Sequence, residues 1–171
     1  PGNPRPVLPM KPMFRLDHKT ALVTGAARGL GAATARTLAA QGARVALVDV
    51  RLDEVRQVAA ECGTQARCYG TDISQLAQIR QLVADVARDF GRIDVLVNNA
   101  GICPRLPFVE STEDDWDRLM DVNAKSQYFL MQAVVPVMKG QGGGRIVNIA
   151  STGGRTGSFA NASIYSGTKG A

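Results

Sequence analysis

Aromatic residues are scarce in this 171-residue chain, at 5% of the total, whereas Ala, Val, Leu and Gly are plentiful. A core short of rings is built from small side chains, which let helices approach a sheet closely. No run of 18 or more apolar residues occurs, so no membrane-spanning helix is expected. The cysteines, Cys62, Cys68 and Cys103, are odd in number and lack metal-like spacing; they point to reduced thiols in a cytoplasmic setting, with no bound metal. The net charge is +5, yet the basic residues are dispersed and no Lys/Arg cluster is interleaved with aromatics, which argues against a nucleic-acid partner. A chain of this length forms one domain with a real core, burying about 70% of the surface that the unfolded chain exposes.

Residues 1–13 read as an extended tail, with five prolines and no apolar signal-like segment, and residues 14–171 as the folded domain. The chain begins at Pro1 and stops at Ala171 inside a helix-like run without a cap, so it reads as truncated.

Within the domain, short apolar runs alternate with helical periodicity. Lys19 to Thr24 predicts a first strand, and Gly29 to Gln41 a helix with Leu30, Ala33, Thr34 and Leu38 on its apolar side and Gly42 as its stop. Arg44 to Val50, Gln65 to Tyr69, Ile93 to Val97 and Arg145 to Ile149 predict four more strands. Leu52 to Glu61 and Ser74 to Phe90 predict helices, the latter N-capped by Ser74. Thr112 to Lys139 predicts one long helical region with Glu113, Asp114 and Asp115 at its positive end. Its second half, Tyr128 to Met138, is apolar nearly all round, which predicts cover from another subunit and hence a homo-oligomer, a dimer or tetramer. Strands alternating with helices imply a doubly wound, Rossmann-type α/β fold with a parallel sheet of order 3-2-1-4-5. The order reverses between strands 1 and 4, opening a crevice at their carboxyl ends.

At that crevice stands Val23-Thr24-Gly25-Ala26-Ala27-Arg28-Gly29-Leu30-Gly31. Glycines alone mark many ordinary loops. Here they follow a strand and open a helix, and Asp49 ends the next strand about 20 residues on, the arrangement in which a pyrophosphate rests on a helix N-terminus and a carboxylate takes the adenosine ribose hydroxyls. A 2′-phosphate would meet the Asp49 charge, so NAD is favoured over NADP; Arg28 and Arg51 are the residues that could bind such a phosphate.

Thr24-Gly25-x-x-x-Gly29-x-Gly31, Asn98-Asn99-Ala100-Gly101, Asn123, Ser151 and Tyr165-x-x-x-Lys169, in that order, resemble the short-chain dehydrogenase/reductase family from about Phe14 to Ala171. The resemblance implies an NAD(P)-dependent oxidoreductase that exchanges hydride with an alcohol or carbonyl carbon. It assigns Gly25, Arg28, Gly29, Leu30, Gly31, Asp49, Asp72, Ile73, Asn99, Ala100, Gly101, Tyr165 and Lys169 to the cofactor, with Asp72 beside the adenine. It makes Tyr165 the general acid/base, Ser151 the hydrogen-bond partner of the substrate oxygen, Lys169 both a ribose ligand and the cation that favours phenolate, and Asn123 the holder of a water linked to Lys169. A free phenol titrates near ~10, so acid/base work near neutrality needs such a cation, and i and i+4 share a helix face.

Gly167 and Thr168 stand where the family more often has Ala and Ser. The family also continues with two more strands and a substrate-covering segment, roughly 60 residues at 30 or so per βαβ unit. Without them one wall of the substrate pocket is missing, strand 5 becomes an exposed edge, and this chain alone is expected not to turn over substrate. The expected substrate is a secondary alcohol or its ketone. Arg105 and Arg155 hint at a polyol or acidic compound, and Cys103, Phe108 and Ser158 are further loop candidates for the pocket. Two readings stand beside this one: an NADPH-dependent reductase of a 3-oxoacyl thioester, and a noncatalytic NAD-binding or subunit-pairing fragment.

Overall fold

The computed structural model describes residues 14–157 and 161–171, so the tail 1–13 and Ser158 lie outside the described residues. Five strands, β1 (Thr20–Thr24), β2 (Arg44–Asp49), β3 (Ala66–Gly70), β4 (Val95–Asn98) and β5 (Arg145–Asn148), form one parallel sheet of order β3-β2-β1-β4-β5. Helices α1 (Gly29–Ala40), α2 (Leu52–Glu61) and α3 (Leu76–Phe90) alternate with the first strands. Helices α4 (Glu113–Met120) and α5 (Ser126–Gly140) lie between β4 and β5, and α6 (Gly153–Thr156) and α7 (Ser163–Gly170) follow β5.

The layering follows from strand alternation, which sends successive side chains to opposite faces. Leu22, Ala46, Val48 and Leu96 pack with Ile79, Leu82, Val83 and Val86 of α3 and Leu130, Val134 and Met138 of α5. Val23, Val45, Leu47 and Val97 face the other way, onto Ala32 and Ala35 of α1 and Val55, Val58 and Ala59 of α2. Each fully buried Leu or Ile contributes about 1.5–3 kcal/mol, so both faces are needed to hold β1, whose five residues are all buried.

Several sequence expectations are corrected in detail. Leu30, Ala33 and Thr34 do not form the buried side of α1; Gly31, Ala32 and Ala35 do, and Leu30 is 73% exposed. Residues this small bring the helix axis down onto the sheet. Ser74 does not cap α3, which starts at Leu76, because its hydroxyl donates to Asp72 Oδ1 (2.7 Å) instead. β4 starts at Val95 rather than Ile93, whose backbone N–H and C=O are both engaged by the Gln141 side chain (3.1 and 2.7 Å). The region 112–139 is not one α-helix: Thr112 caps α4 reciprocally with Asp115, and a π-helical turn over Asp121–Lys125 separates α4 from α5. Within α5 the fully buried positions form one stripe, Ser126, Leu130, Val134 and Met138, while Tyr128 is exposed. β5 pairs with β4 alone, and its other edge meets no strand among the described residues.

The end of the sheet opposite the crevice is fastened by Asp94. Its carboxylate accepts from Thr20 N (2.9 Å), from Arg92 Nε and Nη2 (2.7 and 2.6 Å) and from Lys19 Nζ (3.3 Å), and its backbone bonds both Thr20 and Arg145, joining the starts of β1, β4 and β5. Burial opposes the charge, but the bonds from Arg92, the Thr20 N–H and Lys19 together outweigh it and hold the carboxyl at about 2. A carboxyl depressed in the fold stabilises it above its unfolded pKa, near 4, and that contribution is lost as pH falls through about 2. Asp94→Asn should therefore cost on the order of 2 kcal/mol at pH 7. In urea unfolding, the gap between the two proteins should narrow as the pH is taken towards 3; a gap that is constant with pH would show that the charge is not what matters.

Candidate active site

The loop after β1 is shaped by what its glycines make room for. Gly25 (φ +65°) and Gly29 (φ +56°) lie in the left-handed region. Gly31 has an ordinary φ but no space: a Cβ there would overlap the Gly25 carbonyl oxygen and come within 2.5 Å of Asn99 Nδ2. A Cβ on Gly25 would press on the Ala100 Cα at 2.8 Å. The loop after β4 is thus pressed against the loop after β1, and polar groups lock the two together. Asn99 Nδ2 donates to the carbonyls of Thr24 (2.9 Å) and Gly25 (3.2 Å), while Thr24 Oγ1 accepts from the N–H groups of Asn99 and Ala100, both at 3.1 Å.

No side chain caps the N-terminus of α1. Its first-turn N–H groups and the positive end of its dipole are therefore directed at a cavity of about 880 Å³ that runs across the carboxyl ends of β1 to β4. Gly25, Arg28, Leu30, Asp49, Asp72, Ile73, Asn99, Ala100 and Gly101 all line it. Asp49 is buried at the end of β2. Its Oδ2 accepts from Ala27 N (3.2 Å) and its Oδ1 from Arg51 N (3.1 Å) and Nε (3.3 Å), so the carboxylate is held at the cavity wall by three donors. Asp72 is oriented likewise, by the N–H (3.0 Å) and hydroxyl of Ser74. An uncapped helix N-terminus, the left-handed Gly25 and a fixed carboxylate on one cavity fit a dinucleotide, whose diphosphate needs donors and whose ribose needs an acceptor.

Asn123 and Lys169 lie beside Gly101, and Ser151 and Tyr165 beside Gly153. A Cβ on Gly101 would sit 3.3 Å from Asn123 Oδ1 and 3.7 Å from Lys169 Nζ, and one on Gly153 would sit 3.4 Å from Ser151 Oγ and 4.0 Å from the Tyr165 ring. Tyr165 and Lys169 lie one turn apart on α7. The Lys169 ammonium donates to the Ile149 carbonyl (2.8 Å), and burial pushes its pKa down. Asn123 is 1% exposed within the π-helical turn. Its amide grips Ile102 at both backbone groups (2.8 and 2.9 Å) and donates to Thr168 Oγ1 (3.1 Å), which ties the β4 loop to α7. The wider turn leaves carbonyls that side chains satisfy: Ser126 Oγ donates to Val122 O and Gln127 Nε2 to Asn123 O, both at 2.6 Å. None of Ser151, Tyr165, Lys169 and Asn123 lines the cavity, nor do Gly29 and Gly31, nor the loop candidates Cys103, Arg105, Phe108 and Arg155.

A family model for short chain dehydrogenases matches residues 19–171. The chain belongs to the short-chain dehydrogenase family. It is 44% identical over 159 residues to a sorbitol dehydrogenase of Cereibacter sphaeroides, covering 92% of this chain and 62% of that protein. Its structure is similar to that of an NAD⁺-bound xylitol dehydrogenase (TM-score 0.86, 36% identity, 91% of this chain and 61% of that one). A metagenomic short-chain oxidoreductase in complex with NADP is similar too (TM-score 0.85, 37% identity, 90% and 71%). The chain thus spans a little under two thirds of the length of the first two.

Sequence reasoning overlooked several cavity residues of this short-chain dehydrogenase chain: Thr71, Ser74, Ile102, Arg118, Asp121 and Val122. None carries a motif; each reaches the cavity because the loops after β3 and β4 and the α4–π-turn junction converge there. Thr168, a departure from the commoner family residue, keeps a hydroxyl that donates to Tyr165 O (2.7 Å) as well as accepting from Asn123.

The two kinds of glycine separate experimentally. Gly31→Ala forces a carbonyl and an amide to move and should cost roughly 1–3 kcal/mol and abolish dinucleotide binding. Gly29→Ala meets no neighbour and should cost about 1 kcal/mol for its left-handed backbone. Urea unfolding with NAD⁺ titration compares them, and a larger effect at Gly29 would contradict the packing account.

Proposed function

We propose that this chain forms the cofactor-binding and proton-transferring part of an NAD-dependent dehydrogenase that interconverts a secondary alcohol of the polyol class and its ketone. The observation that carries this is the Asp49 carboxylate fixed on a cavity whose lining residue Gly101 lies beside Asn123 and Lys169. The sorbitol and xylitol dehydrogenases among its relatives support the substrate class. Gly25, Gly29 and the α1 N-terminus would hold the diphosphate, Asp49 the adenosine ribose, and Lys169 the nicotinamide ribose, with Ile73 and Asp72 beside the adenine. When bound, the nicotinamide supplies the hydride acceptor or donor. Tyr165 exchanges the proton of the substrate hydroxyl, Ser151 hydrogen-bonds the substrate oxygen, and the Lys169 charge favours the phenolate. Asn123 positions Lys169 through its grip on Ile102 and Thr168.

The half-buried flanks and exposed Tyr128 of α5 suit cover by a second copy in a homo-oligomer. No helix among the described residues is long and apolar enough to cross a membrane, and a cytoplasmic setting remains part of this proposal.

Thermal shifts at matched concentrations test the cofactor. NAD⁺ should stabilise the chain more than NADP⁺, and Asp49→Ala should narrow that preference by roughly tenfold, the effect of ~1.4 kcal/mol. A larger shift with NADP⁺ on the unsubstituted chain would favour the NADPH-dependent reductase reading; the NADP complex of a similar oxidoreductase supports its cofactor alone. Where sorbitol or xylitol reduces NAD⁺, Tyr165→Phe should lower kcat by about 10²–10⁴.

A further inference from the structure

Arg51 lines the cavity next to Asp49, where its charge would be available to a cofactor phosphate. The side chain is divided between two acids. Its Nε lies 3.3 Å from Asp49 Oδ1 and its Nη1 lies 3.3 Å from Glu54 Oε2. Arg51 is the residue before the first turn of α2, and Glu54 sits within that turn, three residues on. There Glu54 also benefits from the positive end of the helix dipole. Glu54 is not a lining residue, and its side chain is half exposed, so it acts on the cavity only through Arg51 or through its field.

We infer that Glu54 is a positioning residue for cofactor choice: by engaging Arg51 Nη1 from outside the cavity, it withholds from a 2′-phosphate one of the cations on the cavity wall, Arg28 being another. This rests on the dinucleotide reading above and extends it, because Asp49 alone would leave Arg51 to offset its repulsion. One positive and two negative groups make the trio anionic, and a 2′-phosphate brings ~1.5–2 further negative charges. A ribose with a free 2′-hydroxyl brings none. NAD is admitted without disturbing the trio, whereas NADP must break the Arg51–Glu54 pair, rely on Arg28 alone, or bind against net negative charge.

Glu54→Gln removes the outer partner without touching the cavity wall. Titration of the 171-residue chain with NAD⁺ and NADP⁺ should show NADP⁺ binding roughly 3- to 10-fold tighter and NAD⁺ changed less than about twofold, the gain shrinking at high salt as for any half-exposed pair. The same substitution made on Arg51→Gln should bring no gain, since the freed cation is gone. An unchanged NADP⁺/NAD⁺ ratio in Glu54→Gln overturns the inference, as does an equal gain in the Arg51→Gln background, which would mean that Glu54 merely repels phosphate. If NAD⁺ binds the unsubstituted chain in either of those cases, the cofactor reading survives; if neither dinucleotide binds, both fall together.

Discussion

The site depends on two loops occupying space that side chains would deny them. Gly31 has no Cβ, so the Gly25 carbonyl and the Asn99 amide lie where that carbon would be, and Gly25 in turn admits the Ala100 backbone. That approach lets Asn99 hold two carbonyls of the β1 loop and lets Thr24 hold two N–H groups of the β4 loop. The reversal of strand order between β1 and β4 opens a crevice, and these bonds fix its two walls at one spacing. The motif glycines thus serve the packing of the protein on itself as well as any approach of a phosphate.

The sheet is secured at both ends by different means. At its amino end, Asp94 combines a bidentate arginine, a lysine and a backbone N–H, which can afford a buried charge because the carboxylate is several times satisfied. At its carboxyl end, Asp49 and Asp72 are also satisfied from within the chain, yet both face a cavity. Carboxylates oriented by backbone donors need no reorganisation when a ligand arrives, which is how rigid elements give a loop site its geometry.

Strand order, the bounds of α2, and the placing of Gly25, Asp49 and Asn99 on one crevice were legible in the sequence, because alternation and periodicity report burial directly. What was not legible depends on contacts distant in the chain. The start of β4 is set by Gln141, 48 residues from Ile93. The π-helical turn cannot be read from Asp121–Lys125 itself, since it accompanies the grip of Asn123 on Ile102 and Thr168. Ser74 has the composition of a cap, but Asp72, two residues back, takes its hydroxyl. Leu30 has helical spacing with Leu38 and still points outward to the cavity rim, because α1 lies so close to the sheet that only Gly31, Ala32 and Ala35 fit beneath it.

The cavity and the residues proposed for proton transfer approach each other where Gly101 abuts Asn123 and Lys169, and the proposed function requires one ligand to bridge the two. Amide hydrogen exchange with and without NAD⁺ tests this most directly. The account predicts slower exchange confined to the segments around Gly25–Gly31, Asp49–Arg51, Thr71–Ser74, Asn99–Ile102 and Lys169 and the turn of Asn123, with the Asp94 end of the sheet unchanged. Protection that spares the Gly25–Gly31 segment, or that spreads evenly over the whole chain, would contradict it.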